Sequence, residues 1–124
     1  MGRVVHFEIP VDEPERAGAF YRGAFGWTVR HWDTDYWPMV SDAEDGAGAE
    51  GALTRRSQAP EGVVVYIGVD DVEAAVARVR EAGGSVVAGP MPIPKTGWAA
   101  HVRDSEGNLV GLFQEDAEAP PPAG

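Results

Sequence analysis

The chain contains no cysteine. This excludes disulfides, zinc–thiolate sites, iron–sulfur clusters and thiol nucleophiles together, and it fits a reducing cytoplasm. Positive charge is also scarce, with 10 Lys and Arg against 20 Asp and Glu for a formal charge of −10. Phosphate-rich partners would be repelled, so the expected partners include no nucleic acid and no membrane surface. No apolar run approaches the roughly 18 residues of a membrane span. The opening Met-Gly-Arg-Val-Val-His-Phe-Glu has no apolar core of signal-peptide length. The expectation is a soluble cytoplasmic domain. No Gly-x-x-x-x-Gly-Lys-Ser/Thr loop and no Gly-x-Ser-x-Gly elbow occurs, and serine is too rare to suggest a Ser-His-Asp triad.

What the chain does contain is one domain's worth of material. It has 124 residues, 44% of them hydrophobic, with 16 glycines and 10 prolines that imply many short connections. Sliding the chain by 58 positions aligns residues 11–29 with 69–87. Nine of nineteen positions are then identical, among them Val11/Val69, Asp12/Asp70, Glu15/Glu73, Arg22/Arg80 and Gly26/Gly84. Local roles repeat as well. Asp12 and Asp70 each precede a helical pattern with a glutamate three residues on, the carboxylate form of a capping box. Ala17, Phe20, Tyr21 and Ala24, and again Val72, Ala75, Val76 and Val79, recur at helical spacing and predict one buried stripe each. Gly26 and Gly83–Gly84 suit helix ends.

A strand precedes each helix. Val5, Phe7, Ile9 and Val11 alternate with His6 and Glu8, and Val63, Val65, Ile67 and Val69 alternate with Tyr66. The all-apolar faces should meet the helices, which leaves a mixed face carrying His6, Glu8 and Tyr66. Further strands are expected near 27–33, 36–41 and 50–56, then 85–89, 97–103 and 108–114. Turns are expected at Asp33–Asp35, Asp42–Gly51, Gly89–Lys95 and Asp104–Asn108. The fold class is thus α+β, two β-α-β-β-β modules at 3–58 and 62–115, with a flexible tail over 116–124.

In this order, Phe20-Tyr21-x-x-x-Phe25-Gly26-Trp27, Val69-Asp70-Asp71-Val72, Gly83-Gly84 and Asp104-Ser105-Glu106-Gly107-Asn108 resemble the vicinal oxygen chelate superfamily of glyoxalase I, bleomycin-resistance proteins and extradiol dioxygenases. The resemblance spans about residues 3–115. It implies curved mixed sheets around a pocket and, in the family's enzymes, a divalent metal held by His and Glu from the first and last strand of each half. Carried over by position, His6 matches the first ligand. Its repeat mate is Val64, the last ligand falls on Gly111, and the mate of Gly111 is Leu53. One side chain does not hold such an ion, because stable catalytic sites use about three. The metal is therefore expected to be absent, and no other cofactor is implied.

Of the other candidates, His31 and His101 read as surface or structural, since neither has a second histidine at metal-pair spacing. The run Asp42, Glu44, Asp45 lacks the ligand order of a calcium loop. Phe7, Phe20 and Phe25 read as core. Ligand-binding expectations fall on His6, Glu8, Trp37, Tyr66, Trp98 and Phe113, because aromatic walls with a few polar groups suit a small organic ligand. The resemblance also implies a homodimer. The function expected is a small-molecule-binding protein without the metal. The alternative is a metal-dependent glyoxalase-like lyase or isomerase, or a dioxygenase, using His6 with Glu8 or Glu50. Metal-free acid–base chemistry by His6 and Glu8 is a third course.

Overall fold

The computed structural model describes residues 2–30, 35–40, 48–56 and 62–122. The expected turn at Asp33 and Thr34, the acidic run Asp42–Asp45, and His31 and Trp32 lie outside the described residues. The chain forms two compact units, Val5–Val64 and Val65–Gly124 with Met1–Val4. Each is described by itself.

In the first half the elements are β1 (Val4–Val11), α1 (Pro14–Phe25), β2 (Thr28–Val29), β3 (Tyr36–Val40) and β4 (Glu50–Arg55). The strands lie in the order β2-β3-β4-β1, with β1 parallel to β4 and β3 antiparallel to both β2 and β4. Strand alternation divides this sheet cleanly. Val11, Met39 and Leu53 form a buried cluster with Phe7, Ile9, Trp37 and, from α1, Ala17 and Tyr21. The intervening residues His6, Glu8, Tyr36, Ala52 and Thr54 occupy the opposite face.

Helix α1 departs from expectation at both ends of its stripe. Its N-cap is Glu13, with no side-chain cap, and Pro14 follows in the first turn. Asp12, expected to cap, instead accepts from Arg56 Nε at 3.0 Å. Gly18 and Tyr21 turn inward, whereas Phe20 and Phe25 are each 59% exposed and so are not core. They join Tyr21 and Trp27 in an aromatic cluster on the helix flank. Gly26 ends the helix at φ 74°, a left-handed conformation that glycine reaches without strain.

The second half contains β5 (Val64–Gly68), α2 (Val72–Glu81), β6 (Ser85–Ile93), β7 (Gly97–Arg103) and β8 (Leu109–Glu115). Its strands lie in the order β5-β8-β7-β6, with β5 parallel to β8. Val72, Ala75 and Val76 of α2 pack on Ala100, Val102 and Leu112, as the helical spacing predicts. Asp71, not Asp70, is the N-cap, and its Oδ1 accepts from the amides of Glu73 and Ala74. Gln114 Oε1 takes the Val72 amide at 2.9 Å. Strand β6 runs on to Ile93, through the expected turn at Gly89–Lys95. It is the edge strand of this half, where Pro90 and Pro92 forfeit little pairing, and its register shifts beside Ala88 absorb the irregularity.

The stretch beyond Glu115 was expected to fray, but its beginning is pinned. The Asp116 amide donates to Thr96 O, the Lys95 amide donates to Ala119 O, and Ala119 is buried. No described helix is long and apolar enough to cross a membrane.

Candidate functional site

The polar residues of the first half gather on the sheet face turned away from α1. His6 Nε2 lies 3.1 Å from the Tyr36 hydroxyl and 3.4 Å from Glu8 Oε2. Burial, and secondarily the negative charge of Glu8, raise the Tyr36 pKa well above its ordinary value, so the phenol stays a neutral donor and acceptor. Strand pairing sets His6 directly opposite Glu50, which brings that carboxylate to the same face. Thr54 stands opposite Tyr36. A groove of about 260 Å³ at the start of α1, lined by Asp12, Arg16, Phe20 and Arg56 among others, includes none of these residues.

In the second half the corresponding face carries Tyr66, His101, Ala99 and Phe113 around Gly111. The Tyr66 hydroxyl and His101 Nε2 share a hydrogen bond of 2.7 Å, with the rings edge to face. The Tyr66 ring lies over Gly111, and a Cβ there would stand 2.2 Å from it. The place where the resemblance calls for a glutamate is therefore filled by an aromatic ring.

Two of the six expected ligand contacts lie elsewhere. Trp37 packs into the α1-side cluster with Arg55 over its ring. Trp98 packs on the α2 side and donates from Nε1 to Asp116 Oδ2 at 3.0 Å. A one-residue difference in strand parity reverses the face of every side chain, and composition alone does not settle that parity. His6 and Glu8 share the first half's face turned away from α1; Tyr66, which is buried, and Phe113 share the corresponding face of the second half. Sequence reasoning missed Tyr36, Thr54 and His101, for which alternation from a correctly placed neighbour was the available signal.

The register also corrects Leu53, which is fully buried on the helix side. Ala52 pairs with Glu8 as Gly111 pairs with Tyr66, so Ala52 is the true mate of Gly111. The offset of 58 holds for the first strands and grows to 59 at the last ones, because the intervening connections differ in length. Ala52, Val64 and Gly111 offer no donor atom. Among the described residues no three His, Asp or Glu side chains gather as a metal site. The described residues do not fit the family's ion.

The family model of the Glyoxalase/Bleomycin resistance protein/Dioxygenase superfamily matches residues 3–112. The chain belongs to that superfamily. CFP32 of Mycobacterium tuberculosis (strain CDC 1551 / Oshkosh), provisionally named a glyoxylase, is 30% identical over 118 residues, 91% of this chain and 44% of CFP32. The chain thus spans less than half the length of that relative. A glyoxylase-like domain-containing protein of Didymella fabae is 28% identical, over 90% of this chain and 92% of that one. Among solved structures, methylmalonyl-CoA epimerase from Streptomyces coelicolor, in complex with 2-nitronate-propionyl-CoA, superposes with a TM-score of 0.70 at 22% identity. That match covers 98% of this chain and 99% of the epimerase. A superfamily member from Vibrio splendidus 12B01 gives 0.70 at 21%, covering 93% and all of the two chains. These structural likenesses carry the fold.

Proposed function

We propose that this superfamily member binds a small, partly aromatic organic molecule on the sheet faces opposite its helices, without the divalent metal of the family's enzymes. It would act by sequestration, sensing or delivery in the cytoplasm. The observation that supports this most is the Tyr66 ring seated on Gly111, with its hydroxyl on His101. A glutamate there would have to displace a ring that is only 7% exposed and held by His101. The epimerase neighbour holds 2-nitronate-propionyl-CoA. A chain of charge −10 disfavours so anionic a ligand, which points to a neutral or cationic one.

The test is elemental analysis of protein purified without chelators, joined to calorimetric titration of a small-molecule panel with and without EDTA. The expected result is less than about a tenth of an equivalent of metal, since fewer than three ligands hold an ion poorly, and saturable binding indifferent to EDTA. Stoichiometric metal held by three or more side chains would overturn the reading.

A second reading, metal-free acid–base catalysis, draws support from the His6 contacts with Tyr36 and Glu8. Unchanged turnover in His6→Ala would remove it. Self-association as a homodimer is supported by Phe20 and Phe25 standing exposed on α1. Sedimentation equilibrium of the wild type against Phe20→Asp checks it, with a monomeric wild type as the contrary result.

A further inference from the structure

Among the described residues, Thr54 Oγ1 is a buried side-chain oxygen without a hydrogen-bond partner, and Thr54 is only 5% exposed. Its neighbours along β4 turn the other way. Leu53 enters the helix-side core and Arg55 lies over Trp37. Thr54 therefore faces the side of His6, Glu8 and Tyr36, with Tyr36 directly across on β3 and Pro10 across on β1. A sealed, unsatisfied hydroxyl costs free energy that an isosteric valine would not. With Tyr36 across from it and Glu8 diagonal to it on β1, it is a group that a partner from outside the chain would satisfy.

The charge on this face indicates the partner. Glu8 and Glu50 bring two carboxylates to the side of one histidine, within a chain of net charge −10. Tyr36, held neutral by burial and by Glu8, adds a ring face suited to a cation but no charge of its own. Glu8 pairs with Ala52, two residues from Thr54 on the same face of β4, so the two side chains are diagonal neighbours.

We propose that Thr54 determines specificity on this face, and that its ligand is a small organic amine bearing a hydroxyl beside the ammonium group. Glu8 receives the ammonium and Thr54 the hydroxyl. Tyr36, the cross-strand neighbour of Thr54, shifts to admit the ligand, a side-chain adjustment common on binding. The inference rests on the small-molecule reading above and adds its chemical class and a selecting residue.

Calorimetry with phenylethanolamine, phenethylamine, phenylethylene glycol and mandelate, on wild type, Thr54→Val and Thr54→Ser, tests it. Phenylethanolamine should bind the wild type best, lose about tenfold in affinity in Thr54→Val, as expected for one hydrogen bond, and recover in Thr54→Ser. Phenethylamine should be weaker and insensitive to Thr54→Val. The Tm of Thr54→Val should equal or exceed that of the wild type, which separates lost recognition from lost folding. Equal binding of phenylethanolamine by wild type and Thr54→Val, or a preference for the glycol, would overturn the inference. Binding of mandelate or the glycol without either amine would overturn it while leaving the small-molecule reading standing. If no probe of any charge binds, both fall.

Discussion

A Cβ at position 111 would stand 2.2 Å from the Tyr66 ring, well inside any real contact. Gly111→Ala should therefore cost about 1–3 kcal/mol, the usual range for forced overpacking. Urea denaturation measures it, and a loss under about half a kcal/mol would show that the ring moves freely. Tyr36 is the other residue whose surroundings make a measurable demand. Its phenol pKa is raised, first by burial and then by Glu8, above the value of about 10 that an unfolded chain presents. A raised folded pKa means that this contribution to stability is complete below about pH 10 and is lost as pH climbs toward the folded value. Ultraviolet titration of wild type and Tyr36→Phe should show one tyrosine ionising late, and Tyr36→Phe should lose less stability than the wild type at strongly alkaline pH. The placements of His6 and Glu8 on one face of β1, and of Tyr66 on one face of β5, were legible at this scale from alternation of apolar and polar residues along each strand. Thr54, Tyr36 and His101 were not, because their roles depend on which residue stands opposite.

Helix α2 is tied at its start from two directions, by Asp71 from within and by Gln114 from β8. Asp71→Ala should cost about 0.5–2 kcal/mol, whereas Asp70→Ala, which touches no amide of the helix start, should cost about half a kcal/mol or less. Paired thermal melts decide it, and equal losses would return the cap to the position the repeat suggested. The repeat misplaced both caps by one residue because Asp12-Glu13 and Asp70-Asp71 each offer two acidic candidates. Backbone geometry chooses between them. The segment after β8 acts as a strap, since Asp116 holds the Trp98 indole and Ala119 O holds the Lys95 amide. Removing residues 116–124 should cost about 1–3 kcal/mol, because a part-buried indole N–H and a backbone amide lose their acceptors. An unchanged denaturation midpoint would mean that water replaces both.

For the molecule as a whole, the surplus of carboxylates governs what approaches it. With a net charge of −10, affinity for an amine probe should fall as salt rises from low to physiological strength, and binding of duplex DNA should be undetectable in a mobility-shift assay. Salt-independent amine binding would move recognition away from the carboxylates and toward the aromatic surface.

Sequence periodicity alone determined the elements. Among the described residues, β1, α1, β5 and α2 fall close to where apolar spacing at two and at three to four residues put them, because each element must bury one face, whereas β2 is shorter and β6 longer than expected. The internal repeat was legible from residue identities at an offset of 58, and the superfamily from the resemblance of the segments at Phe20–Trp27, Val69–Val72 and Asp104–Asn108. The tertiary structure decided which of two adjacent residues faces which way in β3, β4 and β7. Those strands start after connections of unequal length, so their parity is set by cross-strand pairing. That pairing turned Trp37 and Trp98 toward the helices, exchanged Leu53 for Ala52, and brought Tyr36 beside His6 and His101 beside Tyr66.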